Sequence, residues 1–152
     1  FEELESIRLY LELESMRMKN RFTFSIEVDD DIDIRDVDVM PLLLQPFVEN
    51  AVIHGLAHKE GPGFLKIEIH RVNKSKLLCV IEDNGIGRKK AAELNNMFLK
   101  RHRSYGIEIT KQRLELMKTI NDEDYFVNII DLYDDDGNAA GTRVEVMINI
   151  VE

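Results

Sequence analysis

The chain has a single cysteine, Cys79, so it can form no internal disulfide. Lying in an apolar strand pattern, Cys79 reads as a small buried residue of a reducing compartment. Long apolar runs are missing as well. The most apolar stretches, residues 40–48 and 77–81, are interrupted by Gln45 or bounded by charge, far short of the roughly 18 residues of a membrane span. These residues therefore hold no transmembrane helix. Net positive charge is also absent: 20 basic against 29 acidic residues give −9, which works against a broad polyanion-binding surface and excludes nucleic acid as an expected partner. A small anion stays admissible wherever backbone N–H groups and a few cations outweigh the general field. There is no internal repeat and no low-complexity tract. What remains, 152 residues at 44% apolar and 32% charged, suits one soluble domain with a single core. A chain that opens at Phe1 and runs directly into a charged helix is expected to be a fragment of something longer, whose neighbours include any membrane anchor.

Periodicity supplies the elements. Residues 2–20 are good helix formers, with Phe1, Leu4, Arg8, Leu11, Ser15 and Met18 three and four apart and Ile7, Tyr10 and Leu13 widening the seam. Phe22, Phe24, Ile26 and Val28 alternate with polar residues, as in a half-buried strand. An acidic loop follows over 29–38. Pro41 then stands where a first helical turn tolerates it, opening a strongly apolar helix over 42–56 that Pro46 should bend. Residues 64–72 and 76–82 predict two strands joined by Asn73, Lys74 and Ser75. Residues 88–104 are basic and weakly periodic, predicting a mobile segment with one helical turn near 91–99. An amphipathic helix over 106–120 and a hairpin of strands 125–133 and 142–151 close the chain, with Gly137 and Gly141 at turn positions that favour positive φ. The class is α+β, a mixed sheet with helices on one face.

Three separated clusters carry chemistry. On the central helix, Asn50 and His54 stand side by side at i,i+4, beside Glu49. An Asn amide oxygen is a neutral hard ligand for Mg²⁺, and a neighbouring His reaches a phosphate oxygen; a loop cap and a helix end would use the same residues. Second, Asp83-Asn84-Gly85-Ile86-Gly87 directly follows an apolar strand. A buried carboxylate there accepts a hydrogen bond from an exocyclic amine such as adenine N6, and glycines admit a flat ring, although a plain Asp-Asn-Gly turn has the same composition. Third, Arg101-His102-Arg103-Ser104-Tyr105-Gly106 precedes a helix, where free N–H groups and added cations attract an anion; a basic loop balancing an acidic surface would look alike.

In order and spacing these clusters resemble the LytS-type sensor histidine kinases within the GHKL ATPase superfamily. Residues 41–55, from Pro41 through Asn50 and His54 to Gly55, resemble the N box. Asp83 to Gly87 is similar to the G1 box, Gly106 with Gln112-Arg113-Leu114 to the G2 region, and Gly141-Thr142-Arg143 to the closing Gly-Thr motif. Tyr10-Leu11-Glu12-Leu13-Glu14 with Arg21-Phe22 resembles the family's lead-in. The resemblance implies a Bergerat-type α/β sandwich with an ATP lid between the G1 and G2 regions. Residues 1–20 would end the phosphoacceptor or linker region, and residues 21–152 would form the ATP-binding catalytic domain. It further implies ATP and Mg²⁺ as cofactors. Asn50 would hold the metal, His54 a phosphate and Asp83 the adenine amine. Gly85 and Gly87 would line the base, Arg103, Ser104 and Gly106 would serve the phosphates and lid, and Thr142 would support the adenine end.

Two departures bear on function. The family G2 pattern Gly-x-Gly-Leu-x-Asn reads Ser104, Tyr105, Gly106, Ile107, Glu108, Ile109 here, losing one glycine and the Asn. Hydrolysing members of the superfamily have a water-activating Glu four residues before the metal-binding Asn, and that position is Pro46. Glu49 joins Asn50 and His54 in the expected catalytic group, but it lies about 100° around the helix from Asn50 and does not simply replace that base. The histidines are His54, His58, His70 and His102, and none precedes the N box in the family's phosphoacceptor setting. The implied function is ATP binding with donation of the γ-phosphoryl group to a histidine outside this chain. The implied partners are the phosphoacceptor helix of the same protein, a response regulator and a second protomer, in a cytoplasmic domain of an inner-membrane sensor. The competing readings are a non-catalytic nucleotide-sensing or protein-interaction module and an ATP-hydrolysing clamp.

Overall fold

The computed structural model describes residues 2–33, 35, 37, 39, 41–98, 105–121 and 126–150. Among the described residues five strands form one sheet in the order β1-β2-β3-β5-β4, where β1 is Phe22–Val28, β2 Gly63–Asn73, β3 Lys76–Asp83, β4 Phe126–Tyr133 and β5 Ala139–Asn149. β1 runs parallel to β2 and the other three pairings are antiparallel, so the expected mixed sheet is present.

Strand alternation sorts the side chains onto two faces. Ile26 pairs with Ile67, Ile67 with Ile81, Ile81 with Val144 and Val144 with Ile129, one continuous apolar row across all five strands. Every helix with buried apolar side chains in the core contributes to this same face: Leu4, Ile7 and Leu11 of α1 (Glu2–Arg17), Phe47 and Val48 of α2 (Gln45–Asn50), Val52 and Leu56 beyond it, and Leu114 of α4 (Tyr105–Asn121) join the inner strand residues in one core. Full burial of such a side chain is worth about 1.5–3 kcal/mol, so this face dominates the stability. The opposite face carries charge: Lys66 reaches Glu68 at 2.8 Å, and Arg143 reaches Glu82 at 3.0 Å and Glu145 at 2.9 Å. No helix among the described residues is long and apolar enough to cross a membrane.

Three sequence expectations are corrected. The first helix stops at Arg17 because Lys19 and Asn20 take left-handed φ values of 55° and 58°, and within its seam Arg8 and Leu13 face solvent. The central helix begins at Gln45 rather than 42, after a turn in which Leu42 has φ 56°. Pro41 thus lies ahead of the helix and Pro46 falls in its first turn, where its missing N–H interrupts no helical hydrogen bond. The segment after the second motif is not one turn but an 11-residue helix, α3 (Arg88–Phe98), whose first half buries Ala91 alone and is therefore polar in sequence.

Candidate functional site

The central helix changes pitch inside the first motif. After α2 the chain continues through Ala51–Leu56 as a π-helix, closed by Ala57 N–H donating to the Val52 carbonyl five residues earlier at 2.9 Å. Such wide turns are rare and concentrate at functional sites. Asn50 ends the α-helical part and His54 lies in the π part, both half-buried, while Val52 and Leu56 anchor the inner side. Glu49, also half-buried, accepts a hydrogen bond from the Gln45 amide at 3.1 Å.

The second motif meets this helix at its end. Ile86 N–H donates to the Gly55 carbonyl at 3.3 Å, and a Cβ on Gly55 would lie 2.8 Å from Asp83 Oδ1. A Cβ on Gly85 would overlap the Gly55 backbone itself. Glycine is therefore required on both sides of this contact for two backbones to close around one carboxylate. Asp83 ends β3 on the inner face, pairs with Thr142 of β5 and is 5% exposed. Its Oδ1 accepts from Gly85 N–H at 2.8 Å. Burial pushes its pKa up to about 6; the Gly85 N–H opposes this, the Glu82 charge adds to it, and Lys59 and the Thr142 backbone N–H pull it back. Gly141, with φ 131°, packs against the Asp83 carbonyl, and Gly87, with φ 82°, turns the chain into α3.

The fold thus sets Gly55, at the end of the helix that carries Glu49, Asn50 and His54, against Asp83, Gly85 and Ile86, with Thr142 paired to Asp83 across the sheet. Gly106 lies in the first turn of α4. Arg103 and Ser104, and with them the last part of the expected lid, fall outside the described residues.

Sequence reasoning missed three polar contacts that hold these parts. Arg88 makes a two-pronged ion pair with Asp131 at 2.7 and 2.9 Å, fixing the start of α3 to β4. Arg113 of α4 donates to the Pro41 carbonyl at 2.9 Å. Glu3 of α1, 9% exposed, accepts from the N–H groups of Leu44 and Gln45 at 2.7 and 3.0 Å. The one legible sign of the last was a carboxylate on the helix face that carries Leu4, Ile7 and Leu11.

No family model matches the chain. Among curated proteins, it is 35% identical to the uncharacterized protein YwpD of Bacillus subtilis (strain 168), over 74% of this chain and 40% of that protein. It is 38% identical to sensor protein LytS of Oceanobacillus iheyensis, over 56% of this chain and 14% of LytS. The chain therefore spans less than half the length of these relatives. Among solved structures, mycobacterial sensor histidine kinase MprB superposes with a TM-score of 0.62 at 15% identity, over 97% of this chain and 93% of that one. Histidine kinase ThkA in complex with response regulator TrrA gives 0.56 at 17% identity, over 99% and 40%. Full-length ShkA in complex with AMPPNP gives 0.60 at 14% identity, over 95% and 29%.

Proposed function

From a chain homologous over part of its length to LytS sensor histidine kinases, and built on the fold of histidine kinase catalytic domains, we propose that these residues bind ATP with Mg²⁺ and donate the γ-phosphoryl group to a histidine outside the chain. The observation that carries this reading is Asp83, a carboxylate held 5% exposed between glycine backbones at a strand end. Apart from the Gly85 and Thr142 N–H groups and the Lys59 charge, the described residues give it no reason to be acidic, since burial works against its ionised form. An exocyclic amine offered to that carboxylate supplies one.

Asp83 accepts the adenine amine, with Gly85, Gly87 and Thr142 around the base. Asn50 contributes an amide oxygen to Mg²⁺, His54 contacts a phosphate, and Arg103, Ser104 and Gly106 serve the phosphate end. The donor set fits a metal carried in with its nucleotide: among the described residues no group of three or more His, Cys, Asp or Glu side chains converges on a site, and Mg²⁺ is commonly held by few protein oxygens plus substrate phosphates and water. When bound, Mg²⁺ neutralises charge on the phosphate oxygens. Glu49 is engaged by Gln45 and Pro46 has no titratable group, which supports phosphoryl donation over hydrolysis. The parts are divided so that residues 1–20 end the phosphoacceptor linker and residues 21–152 form the catalytic domain. The remaining partners are a response regulator, as in the ThkA complex, and a second protomer, with any membrane contact made by segments outside the chain.

Titration calorimetry with ATP and adenosine, with and without Mg²⁺, tests the site. Asn50→Ala is expected to remove the Mg²⁺ dependence of ATP binding and leave adenosine binding nearly intact. Equal loss for both ligands would reject the metal assignment, and no ATP binding by the unaltered chain would reject the function.

A further inference from the structure

We propose that Glu3 is a positioning residue for the nucleotide site: reaching from α1, its carboxylate sets the place of the helix that carries Asn50 and His54. The proposal rests on the reading of those two residues given above. It starts from the unpaired N–H groups that open any helix. Here Leu44 and Gln45 both donate to Glu3 Oε1, Pro46 has no N–H, and Phe47 donates to the Leu44 carbonyl at 3.0 Å. The first turn is satisfied, and its N-cap residue, Leu44, makes no side-chain capping hydrogen bond. A group 41 residues earlier in the chain does that work.

Packing does not explain a carboxylate at this place. Glu3 Oε2 is buried with no hydrogen-bond partner among the described residues, and the Glu3 charge lies close enough to contribute, after burial, to raising the pKa of the buried Cys79 thiol. A leucine would fill the volume without that penalty. What a carboxylate supplies there is one oxygen that accepts from two of the helix's first backbone N–H groups, at the end of the helix where negative charge is favoured. The turn ahead of the helix is gripped from its other side by Arg113 on the Pro41 carbonyl. Between these anchors Leu42 adopts φ 56°, a conformation that L side chains rarely hold without surrounding constraint. The helix start is therefore specified by α1 and α4 rather than by its own sequence, and displacement of α1 carries the Asn50 end with it.

The experiment compares the 152-residue chain with Glu3→Leu and Glu3→Gln by calorimetry, thermal unfolding and amide hydrogen exchange. Glu3→Leu should fold, lose roughly tenfold in Mg²⁺-ATP affinity while keeping adenosine affinity, and lose exchange protection across 44–50 but not in β2 and β3; Glu3→Gln, which keeps one acceptor oxygen, should fall between. A folded Glu3→Leu chain with the unaltered ratio of ATP to adenosine affinity would overturn the proposal. If Glu3→Leu fails to fold, the near-isosteric Glu3→Gln decides by the same ratio. If the unaltered chain binds no ATP, the functional reading fails by itself, and exchange over 44–50 still decides whether Glu3 sets the helix: unchanged protection in both variants overturns the proposal.

Discussion

Asp83 shows at the scale of one residue how the binding role proposed for it and stability oppose each other. Its pKa rises from an ordinary carboxylate value of 3.8 to about 6 in the folded chain, chiefly through burial. The folded state thus holds the proton more tightly than the unfolded state. Its favourable contribution is complete below about pH 4 and is lost as pH rises through about 6, so at neutral pH the ionised group costs on the order of 3 kcal/mol. Asp83→Asn keeps an oxygen for Gly85 N–H and removes the charge. It is expected to raise the melting temperature at pH 7 to 8, to show little difference near pH 4, and to weaken ATP binding at least tenfold, as one lost charged hydrogen bond of about 1.5–3 kcal/mol requires. Unchanged ATP affinity in calorimetry would remove the adenine assignment. This residue was legible in the sequence because an acid followed by two spaced glycines at the end of an apolar run is a local pattern. Glu3 was not, because its partners are backbone groups at Leu44 and Gln45, and sequence gives no distance across that gap.

At the scale of elements, the central helix was legible in existence and wrong in extent. Apolarity over 42–48 reads as helix, yet Leu42 turns left-handed and the ladder starts only where Glu3 receives it. The π turn was invisible for a related reason: its extra residue is accommodated by Gly55 closing on Asp83 and Ile86, contacts made with another part of the chain. The position of Pro46 turns this into a test. An interior proline costs about 3 kcal/mol, so its replacement there would stabilise the chain strongly. In a first turn, Pro46→Ala should instead lower stability by no more than about 1 kcal/mol, through greater freedom of the unfolded chain. Chemical denaturation measures the difference, and a marked gain in stability would return Pro46 to the helix interior.

For the whole molecule, the first four strands were read to within a residue at each end and β5 was set too late, at 142–151 instead of 139–149, whereas the strand order was not read at all, because nothing in the periodicity places β5 between β3 and β4. The division of labour can be tested at this scale. The purified chain is expected to bind ATP without autophosphorylating or turning it over at a useful rate, and a separately made helical segment carrying the phosphoacceptor histidine should receive the label from γ-labelled ATP. The adduct should be acid-labile and base-stable, and transfer should be slow without a tether to raise effective concentration. Label on His54, His58, His70 or His102 of the chain itself would contradict this arrangement. The lone parallel pairing, β1 with β2, has its own consequence in time. β2–β3 and β4–β5 are hairpins with short turns, which close in about 1–10 μs, whereas β1 meets β2 only after the intervening chain, which contains Asn50 and His54, has been looped back. A longer closure still is that of β3 on β5, which must loop back residues 84–138 to set Thr142 beside Asp83. On the proposed reading, nucleotide would find no site on the chain before that step, and so would act by delaying unfolding rather than by hastening folding.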